Sequence, residues 1–244
     1  MSDHPWLVLQ FESPLLAFGG VMIDQRGETR DFPALSMMTG LLGNALGWRR
    51  TDRDLHQRLQ DRLVFAACVD PEGDPSVLTD IQNARLEKTD RGWTSLGEPE
   101  GRGGASYGAP HRRRRDYLAD ARVLAVLRLA PGDGPGLDRV ADALARPARP
   151  LFIGRKCCVP ACPVLRPVGV PAATAYQALS ALVPPKKAWR AQWPVGEGPV
   201  DGPRVHRVID LADLRNWRSG LHGGRRRVVE GCVEAAPEPA EERS

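Results

Sequence analysis

The sequence predicts an α+β fold built around a split βαβ, ferredoxin-like unit. Apolar runs of strand length begin at Trp6, Leu63 and Tyr117. Segments of helical periodicity lie between the first two runs and again after the third. In chain order the elements therefore read strand, helix, strand, strand, helix.

The first half of this unit begins with a short apolar strand at residues 6–11. A long irregular stretch follows and ends at Ser36, a residue type that favours the N-cap of a helix. From residue 37 to about residue 50 apolar side chains recur at helical spacing. A second, shorter helix is predicted at residues 52–61, and it leads into a strand at residues 63–70.

The second half begins with a proline-rich turn and a third strand at residues 76–82. Residues 83–116 are polar and glycine-rich and end in HRRRR, which predicts either disorder or a projecting functional loop. A strand over residues 117–129 and a helix over residues 137–146 follow. Beyond Pro147 the chain is proline-rich, with a strand pair predicted at residues 205–211 and 226–233.

Composition indicates a globular protein of the cytoplasm. The 244 residues suffice for one large domain or two small ones, and the hydrophobic and charged fractions of 42% and 26% are ordinary. No apolar run approaches the roughly 18 residues of a membrane helix, and the first residues do not resemble a signal peptide. We expect the five cysteines to be reduced thiols.

The positive charge is supplied almost entirely by arginine. Four of the 34 basic residues are lysine and thirty are arginine, and the net charge is +4. Guanidinium groups bind phosphate in a bidentate manner and stack on bases, which favours a nucleic-acid partner. A GC-rich genome also raises the arginine count, but it does not explain why arginines cluster.

Three glycines mark the first predicted helix, namely Gly40, Gly43 and Gly47. Their spacing of three and four places them on one face, at a cost of about 1 kcal/mol each relative to alanine. Such a stripe permits close approach, either of a neighbouring strand or of a ribose-phosphate chain. The exposed amides of the helix start at Ser36 would suit an anion.

Four consecutive arginines, residues 112–115, end the long loop. A charge run is often only a solvated face, but adjacent like charges repel and phosphate would relieve that repulsion. Tyr107 and Tyr117 flank the run, and each is suited either to stacking on unpaired bases or to a core position. Arg114, Arg115 and Tyr117 are therefore candidate RNA contacts.

A third cluster follows a predicted short strand at residues 151–153. Gly154, Arg155 and Lys156 form a basic turn with exposed backbone amides, and Arg30 is a further candidate phosphate contact. Cys157, Cys158 and Cys162 invite a zinc interpretation. Structural zinc sites need two paired sets of ligands, so buried thiols explain these cysteines better and no metal or other cofactor is expected.

Four stretches of the sequence together resemble the CasD family of the type I-E CRISPR complex Cascade. The matching pieces are SPLLAFG (13–19), FPALSMMTGLLGNALG (32–47), RRDYLAD (114–120) and RPARPLFIGRKCC (146–158). They occur in the family's order. The glycine-bearing helix and the GRK turn are the most specific pieces.

The resemblance implies a modified RRM-like domain over residues 1–160 with a β-hairpin thumb at about 83–116. A small β-rich portion at 161–233 and a disordered acidic tail at 234–244 would follow. Members of the family hold the 5′ handle of crRNA, cap the backbone filament, and contact the backbone and large subunits, meeting target DNA only through the complex. No aromatic RNP1 pattern is present, so base stacking on the sheet is not expected.

Function is accordingly predicted as non-catalytic RNA binding in antiviral defence. The sequence lacks the common phosphate-loop, metalloprotease and nucleophile-elbow motifs, and its five histidines are scattered singly. An alternative is a metal-independent endoribonuclease that uses His111 or Tyr117 with Lys156. A scaffold whose basic patches meet an acidic protein is the third possibility.

Overall fold

A computed structural model describes residues 2–20, 22–23, 25–73, 75–84, 91–93, 98–100 and 111–236. Four α-helices occur in this part of the chain: α1 Leu35–Ala45, α2 Arg53–Arg62, α3 Leu137–Ala145 and α4 Ala175–Ser180. The first strands are β1 His4–Glu12, β2 Leu15–Leu16, β3 Met22–Ile23, β4 Arg26–Gly27, β5 Leu63–Asp70, β6 Ser76–Ala84 and β7 Gly92–Trp93. The remaining strands are β8 Pro99–Glu100, β9 His111–Ala119, β10 Arg122–Leu129, β11 Val170–Ala172, β12 Ala188–Pro194, β13 Val205–Leu211 and β14 Arg226–Glu234.

A seven-stranded antiparallel sheet organises the molecule, in the order β11-β1-β10-β5-β12-β14-β13. The predicted α+β class holds in the broad sense of a mixed, mostly antiparallel fold. Strands from both sides of residue 160 share this sheet. The proposed division at residue 160 stays a prediction.

Both faces of the sheet are covered. Along β1, Leu9 and Phe11 enter a core with α1, α2 and α3, whereas Trp6 and Val8 enter a second core with α4. Successive strand residues point to opposite faces, so a strand buried on both sides reads as a continuous apolar run. This explains why β1, β5 and β10 were recognisable from sequence.

The arginine run belongs to a strand and not to a loop. β9 pairs with β6 in antiparallel register from Ser76↔Ala119 to Ala84↔His111, and with β4 in parallel register. The expectation that order returns only at Tyr117 is therefore wrong, because pairing partners distant in sequence hold the polar residues 111–116 in strand conformation. Most of the predicted thumb, residues 85–90, 94–97 and 101–110, lies outside the described residues, as do Tyr107 and the tail from residue 237.

Two further local predictions are corrected. Residues 151–153 do not form a strand, and β12 was not foreseen. Helix α1 begins at Leu35 and ends at Ala45, five residues before the predicted end. Gly47 takes a positive φ of 80° just beyond the helix, which is the usual glycine terminator. Within the described residues, no helix is both long and apolar enough to span a membrane.

Candidate functional site

A cleft of about 800 Å³ lies beside α1. Its lining comes from four parts of the chain: residues 17–30, residues 34–56 with α1, residues 149–156, and residues 212–222. Six cations line it: Arg30, Arg50, Arg149, Arg155, Lys156 and Arg215. Chain segments far apart in sequence thus bring their positive charges to one concave surface.

None of these six cations forms an ion pair with a carboxylate within the described part of the chain. Asp213 is the acidic residue of the lining, and its fully buried carboxylate is bound by the guanidinium of Arg226 at 2.8 Å. The positive charge of the cleft is therefore not balanced from within, and the cleft favours a polyanion.

Asp213 also occupies the N-terminus of α1. Its carboxylate accepts a hydrogen bond from the backbone N–H of Leu35 at 2.9 Å, and its carbonyl accepts one from the N–H of Ser36 at 3.0 Å. The N-cap position is Ala34, so the prediction that Ser36 caps the helix is wrong. Both backbone N–H groups already donate to Asp213, so neither is free to bind an external anion.

The glycines of α1 make room for side chains. A Cβ on Gly43 would lie 2.6 Å from Nε2 of His56, whereas one on Gly40 would lie 3.7 Å from the Trp217 ring. The His56 ring stacks on Trp217 at 4.6 Å and meets Trp48 edge-on at 5.3 Å. The predicted close approach is real at Gly43, but its partner is a ring from α2 and not a strand or a ribose-phosphate chain.

Arg149 ties the end of α1 to the cleft wall. Its guanidinium donates to the carbonyls of Trp48 at 2.6 Å and Gly47 at 2.8 Å. A cation at a helix C-terminus satisfies carbonyls that lack intrahelical partners and interacts well with the helix dipole. The position of Arg149 at the cleft is thus set by helix termination.

The GRK turn requires glycine at position 154. Gly154 has a φ of 87°, and a Cβ there would lie 1.6 Å from the carbonyl oxygen of Ala17. Only glycine fits this close approach. The backbone N–H of Cys158 then bonds to the carbonyl of Arg155 at 2.9 Å, and this closes the turn that presents Arg155 and Lys156.

Arg155 links the turn to the second sheet. Its guanidinium donates to the carbonyls of Asp116 at 2.9 Å and Gly27 at 3.0 Å, and lies 4.6 Å from the centroid of the Tyr117 ring. Two of its five N–H groups are thus used inside the protein. Arg155 both braces the fold and lines the cleft, whereas Lys156 is exposed.

Tyr117 is a core residue with 5% exposure. Its ring is covered by Arg155, which leaves little surface for stacking on a base. Burial raises the pKa of the Tyr117 hydroxyl, as does the hydrogen bond from Cys157. The phenol therefore stays protonated at neutral pH and is a poor general base.

The arginines of β9 alternate between the two faces of the strand. Arg115 lies beside Arg155, because both side chains contact the space over Gly27. Arg114 points to the opposite face. Neither lines the cleft, so β9 does not deliver its charges to one surface as the linear run suggests.

The cysteines do not form the cluster of buried thiols that was expected. Cys158 is buried, Cys162 is half-buried and Cys157 is exposed. Burial raises the pKa of the Cys158 thiol to about 11. In the residues that the structure describes, no group of three or more His, Cys, Asp or Glu side chains is arranged to hold a metal ion.

The profile of the family described as CRISPR-associated protein (Cas_Cas5) matches residues 6–229. The chain belongs to this Cas5 family. Among curated proteins, the CRISPR system Cascade subunit CasD of Escherichia coli (strain K12) is 27% identical over 153 residues. That match covers 63% of this chain and 66% of the relative, so it spans slightly less than two thirds of that protein's length.

Solved structures share the fold of this Cas5-family chain. A chain of a CRISPR RNA-guided surveillance complex superposes with a TM-score of 0.65 at 23% identity, covering 94% of this chain and 90% of the other. A crystal structure of a Cas protein gives a TM-score of 0.60 at 21% identity, covering 96% and 100%. Nearly the whole chain therefore adopts an architecture already seen in CRISPR-associated proteins.

The cleft of this Cas5-family chain collects about half of the predicted site residues: Arg30, Ser36, Gly40, Gly154, Arg155 and Lys156. Five others, Gly43, Gly47, Arg114, Arg115 and Tyr117, lie outside its lining. Sequence reasoning missed Arg50, Arg149 and Arg215. Arg149 sits inside the RPARP motif and could have been found there, whereas Arg215 reaches the cleft only through tertiary structure.

Proposed function

We propose that this chain is a non-catalytic RNA-binding subunit of a Cascade-type effector, and that the cleft holds the 5′ handle of its crRNA. The observation that carries the proposal is the set of six cleft cations without carboxylate partners. A phosphate chain would supply the missing negative charge and release its own counterions. Its partners would be crRNA, the backbone subunit, the large subunit and, through the complex, target DNA.

The names of the similar proteins support this assignment. The curated relative is a Cascade subunit, and one structural neighbour is a chain of an RNA-guided surveillance complex. RNA is the partner that fits both these names and the unbalanced charge of the cleft. An acidic protein partner would explain the unbalanced charge of the cleft but not the names of the similar proteins.

The order β11-β1-β10-β5 supports the RRM-like description. Numbered by their place in a βαββαβ unit, these four strands read 4-1-3-2 with antiparallel neighbours, as in ferredoxin-like folds. Both faces of this sheet are buried by hydrophobic cores. RNA would therefore bind at the cleft beside α1 and not on the sheet face.

The β6–β9 hairpin supports contact with a neighbouring subunit. Val77, Leu78 and Ile81 of β6 are 65%, 44% and 54% exposed. Large apolar side chains exposed on a strand pair are typical of a protein interface. We assign this surface to the backbone subunit, with the filament ending at this chain.

The endoribonuclease alternative finds little support in the arrangement of its residues. His111 lies six residues along β9 from Tyr117, the residue that meets the GRK turn, so about 20 Å of strand separates His111 from the turn that carries Lys156. Tyr117 lies near the GRK turn, but its phenol is held in the protonated form by burial. A base that activates a ribose hydroxyl needs a pKa near the working pH.

Charge reversal at Lys156 tests the proposal. Lys156 is exposed in the cleft, so Lys156→Glu changes its charge without removing an internal contact, unlike a change at Arg155. Lys186→Glu makes the same charge change outside the cleft lining. We expect the complex purified with Lys156→Glu to lose RNA, measured by the ratio of absorbance at 260 and 280 nm, with a greater loss at high salt. Equal RNA content in the two variants would count against the cleft as the RNA site.

A further inference from the structure

Residues 212–222 bring a second group of cations to the cleft, separate from the GRK turn. We propose that Arg215, with Arg50 and His222, forms a phosphate-binding subsite at the aromatic cluster of Trp48, His56 and Trp217. This inference rests on the proposed function, because it assigns a further phosphate of the same nucleotide chain to a second place in the cleft.

Arg215 has donors that the protein leaves unused. Its Nε is buried and has no hydrogen-bond partner. The guanidinium lies 5.0 Å from the centroid of the Trp217 ring. Burial lowers the pKa of Arg215, and the charge of Arg50 lowers it further. A buried donor without a partner is unfavourable, and a bound anion would supply an acceptor to this guanidinium.

Arg50 places a second positive charge near this guanidinium, and His222 places an imidazole beside it. His222 pairs with Arg215 through a backbone bridge, and burial together with the charge of Arg215 lowers the pKa of its imidazole. Two cations that repel one another in the absence of an anion, with an imidazole beside them, therefore converge on one part of the lining. An anion bound between them would remove that repulsion.

The carboxylates of the neighbourhood are already engaged. Asp213 binds Arg226, Asp54 binds Arg218, and Asp52 accepts a hydrogen bond from the N–H of Arg49. None of them forms an ion pair with Arg215 or Arg50 within the described residues. Within the described residues this cluster therefore has no anionic partner, and it can accept an anionic ligand.

The subsite is preorganised by helix α2. The side-chain oxygen of Gln60 accepts hydrogen bonds from the Arg215 backbone N–H at 3.3 Å and from Trp217 Nε1 at 3.0 Å. The amide of Gln60 donates to the Arg215 carbonyl at 2.9 Å, and Gln57 accepts from the Trp217 N–H at 3.0 Å. Because the backbone is held at both residues, little ordering is needed when a ligand binds.

A phosphodiester suits the donors of this subsite. A guanidinium presents a planar fork that matches two phosphate oxygens, and a neighbouring cation and imidazole can bind the same group. The other cations of the cleft, on the GRK turn and at Arg30, would then hold neighbouring phosphates. The nucleotide chain would thus be bound through a row of its backbone phosphates along α1.

The test compares variants that remove the same charge at three places. Affinity of the full-length chain for a fluorescein-labelled single-stranded RNA is measured by anisotropy over a range of salt concentrations. Arg215→Gln and Arg50→Gln change the proposed subsite, Lys156→Gln changes the GRK turn, and Arg218→Gln is the control. Arg218 is exposed and lies outside the cleft lining. Thermal unfolding of each variant shows whether the fold is kept, and Arg50 is exposed, so its replacement does not disturb the core.

We expect Arg215→Gln to weaken binding about tenfold, since a charge-assisted hydrogen bond is lost. The slope of log affinity against log salt should fall by about 0.7, as for one phosphate contact on a single strand. Arg50→Gln should change both quantities in the same direction, and Arg218→Gln should change affinity less than about twofold. If Arg215→Gln and Arg50→Gln match Arg218→Gln while Lys156→Gln weakens binding, the subsite is refuted and the proposed function stands. If none of the variants weakens binding, both the subsite and the proposed function are refuted.

Discussion

The carboxylate of Asp213 accepts a hydrogen bond from the backbone N–H of Leu35 at 2.9 Å, across 178 residues of sequence. The same carboxylate is bound by Arg226, and its side chain is fully buried. One residue of the C-terminal third thus completes the start of α1 and anchors the segment that lines the cleft. Stability and the shape of the cleft depend on the same contact.

Loss of this carboxylate should destabilise the protein strongly. Asp213→Ala leaves Arg226 without its partner and the backbone N–H of Leu35 without its acceptor, so we expect the free energy of unfolding to fall by about 3 kcal/mol. Asp210→Ala is the control, because that side chain is 62% exposed and pairs with Arg227 only at 4.0 Å. The control should cost less than about 0.5 kcal/mol in urea unfolding. Equal losses would show that the buried contact has no special role.

The two glycines inside α1 should respond oppositely to alanine. Gly40→Ala places a methyl group at ordinary contact distance from Trp217 and should stabilise the helix by up to about 1 kcal/mol. Gly43→Ala drives the methyl group into His56, which is packed between Trp48 and Trp217, and should cost about 1–2 kcal/mol. Urea unfolding measures both. A stabilising Gly43→Ala would mean that His56 moves aside freely.

Gly154 should tolerate alanine far less than another glycine of similar conformation. Gly196 has a φ of 92° with nothing within 4 Å of a Cβ, so Gly196→Ala should cost only about 1 kcal/mol of backbone strain. Gly154→Ala adds a clash with the Ala17 carbonyl and must displace the GRK turn. We expect a larger loss of unfolding free energy and weaker RNA binding. Equal losses of unfolding free energy for Gly154→Ala and Gly196→Ala would contradict the close approach of Gly154 to the Ala17 carbonyl.

His222 should titrate below its ordinary pKa of 6.5. Burial is the main cause and the charge of Arg215 adds to it, so Arg215→Gln should raise the pKa and Arg218→Gln should not. Because the unfolded chain binds the proton more tightly, this contribution to stability is complete above the ordinary pKa and is lost as pH falls towards the folded value. NMR titration of the imidazole measures the shift. A pKa at or above 6.5 in the unliganded chain would contradict the crowding of cations around Arg215.

Elements with a strong local pattern were predictable from sequence. The strand Leu63–Asp70 and the strand Val205–Leu211 have the bounds that their apolar content indicates. β9 was mistaken for a loop because its polar residues are held by β6 and β4, and no local pattern records those partners. The end of α1 was placed too late because Gly47 fits a helical period and also the left-handed terminator that the structure contains.

The residues of the candidate site show the same difference between those with a local sequence signal and those that depend on tertiary contacts. The GRK turn was found because a glycine followed by two cations is a local signal, and it does line the cleft. Arg215 was missed because it reaches the cleft through contacts of its segment with Gln60 and Leu35. For Tyr117 the sequence left a core position and stacking on a base both open, and only the folded chain shows that the side chain is buried.

A structure of the assembled complex with its guide RNA would show whether the cleft beside α1 holds a nucleotide chain. We expect RNA phosphates within about 3 Å of the cations at Arg30, Lys156 and Arg215. An RNA path along another face of the chain, with no nucleotide in the cleft, would contradict it.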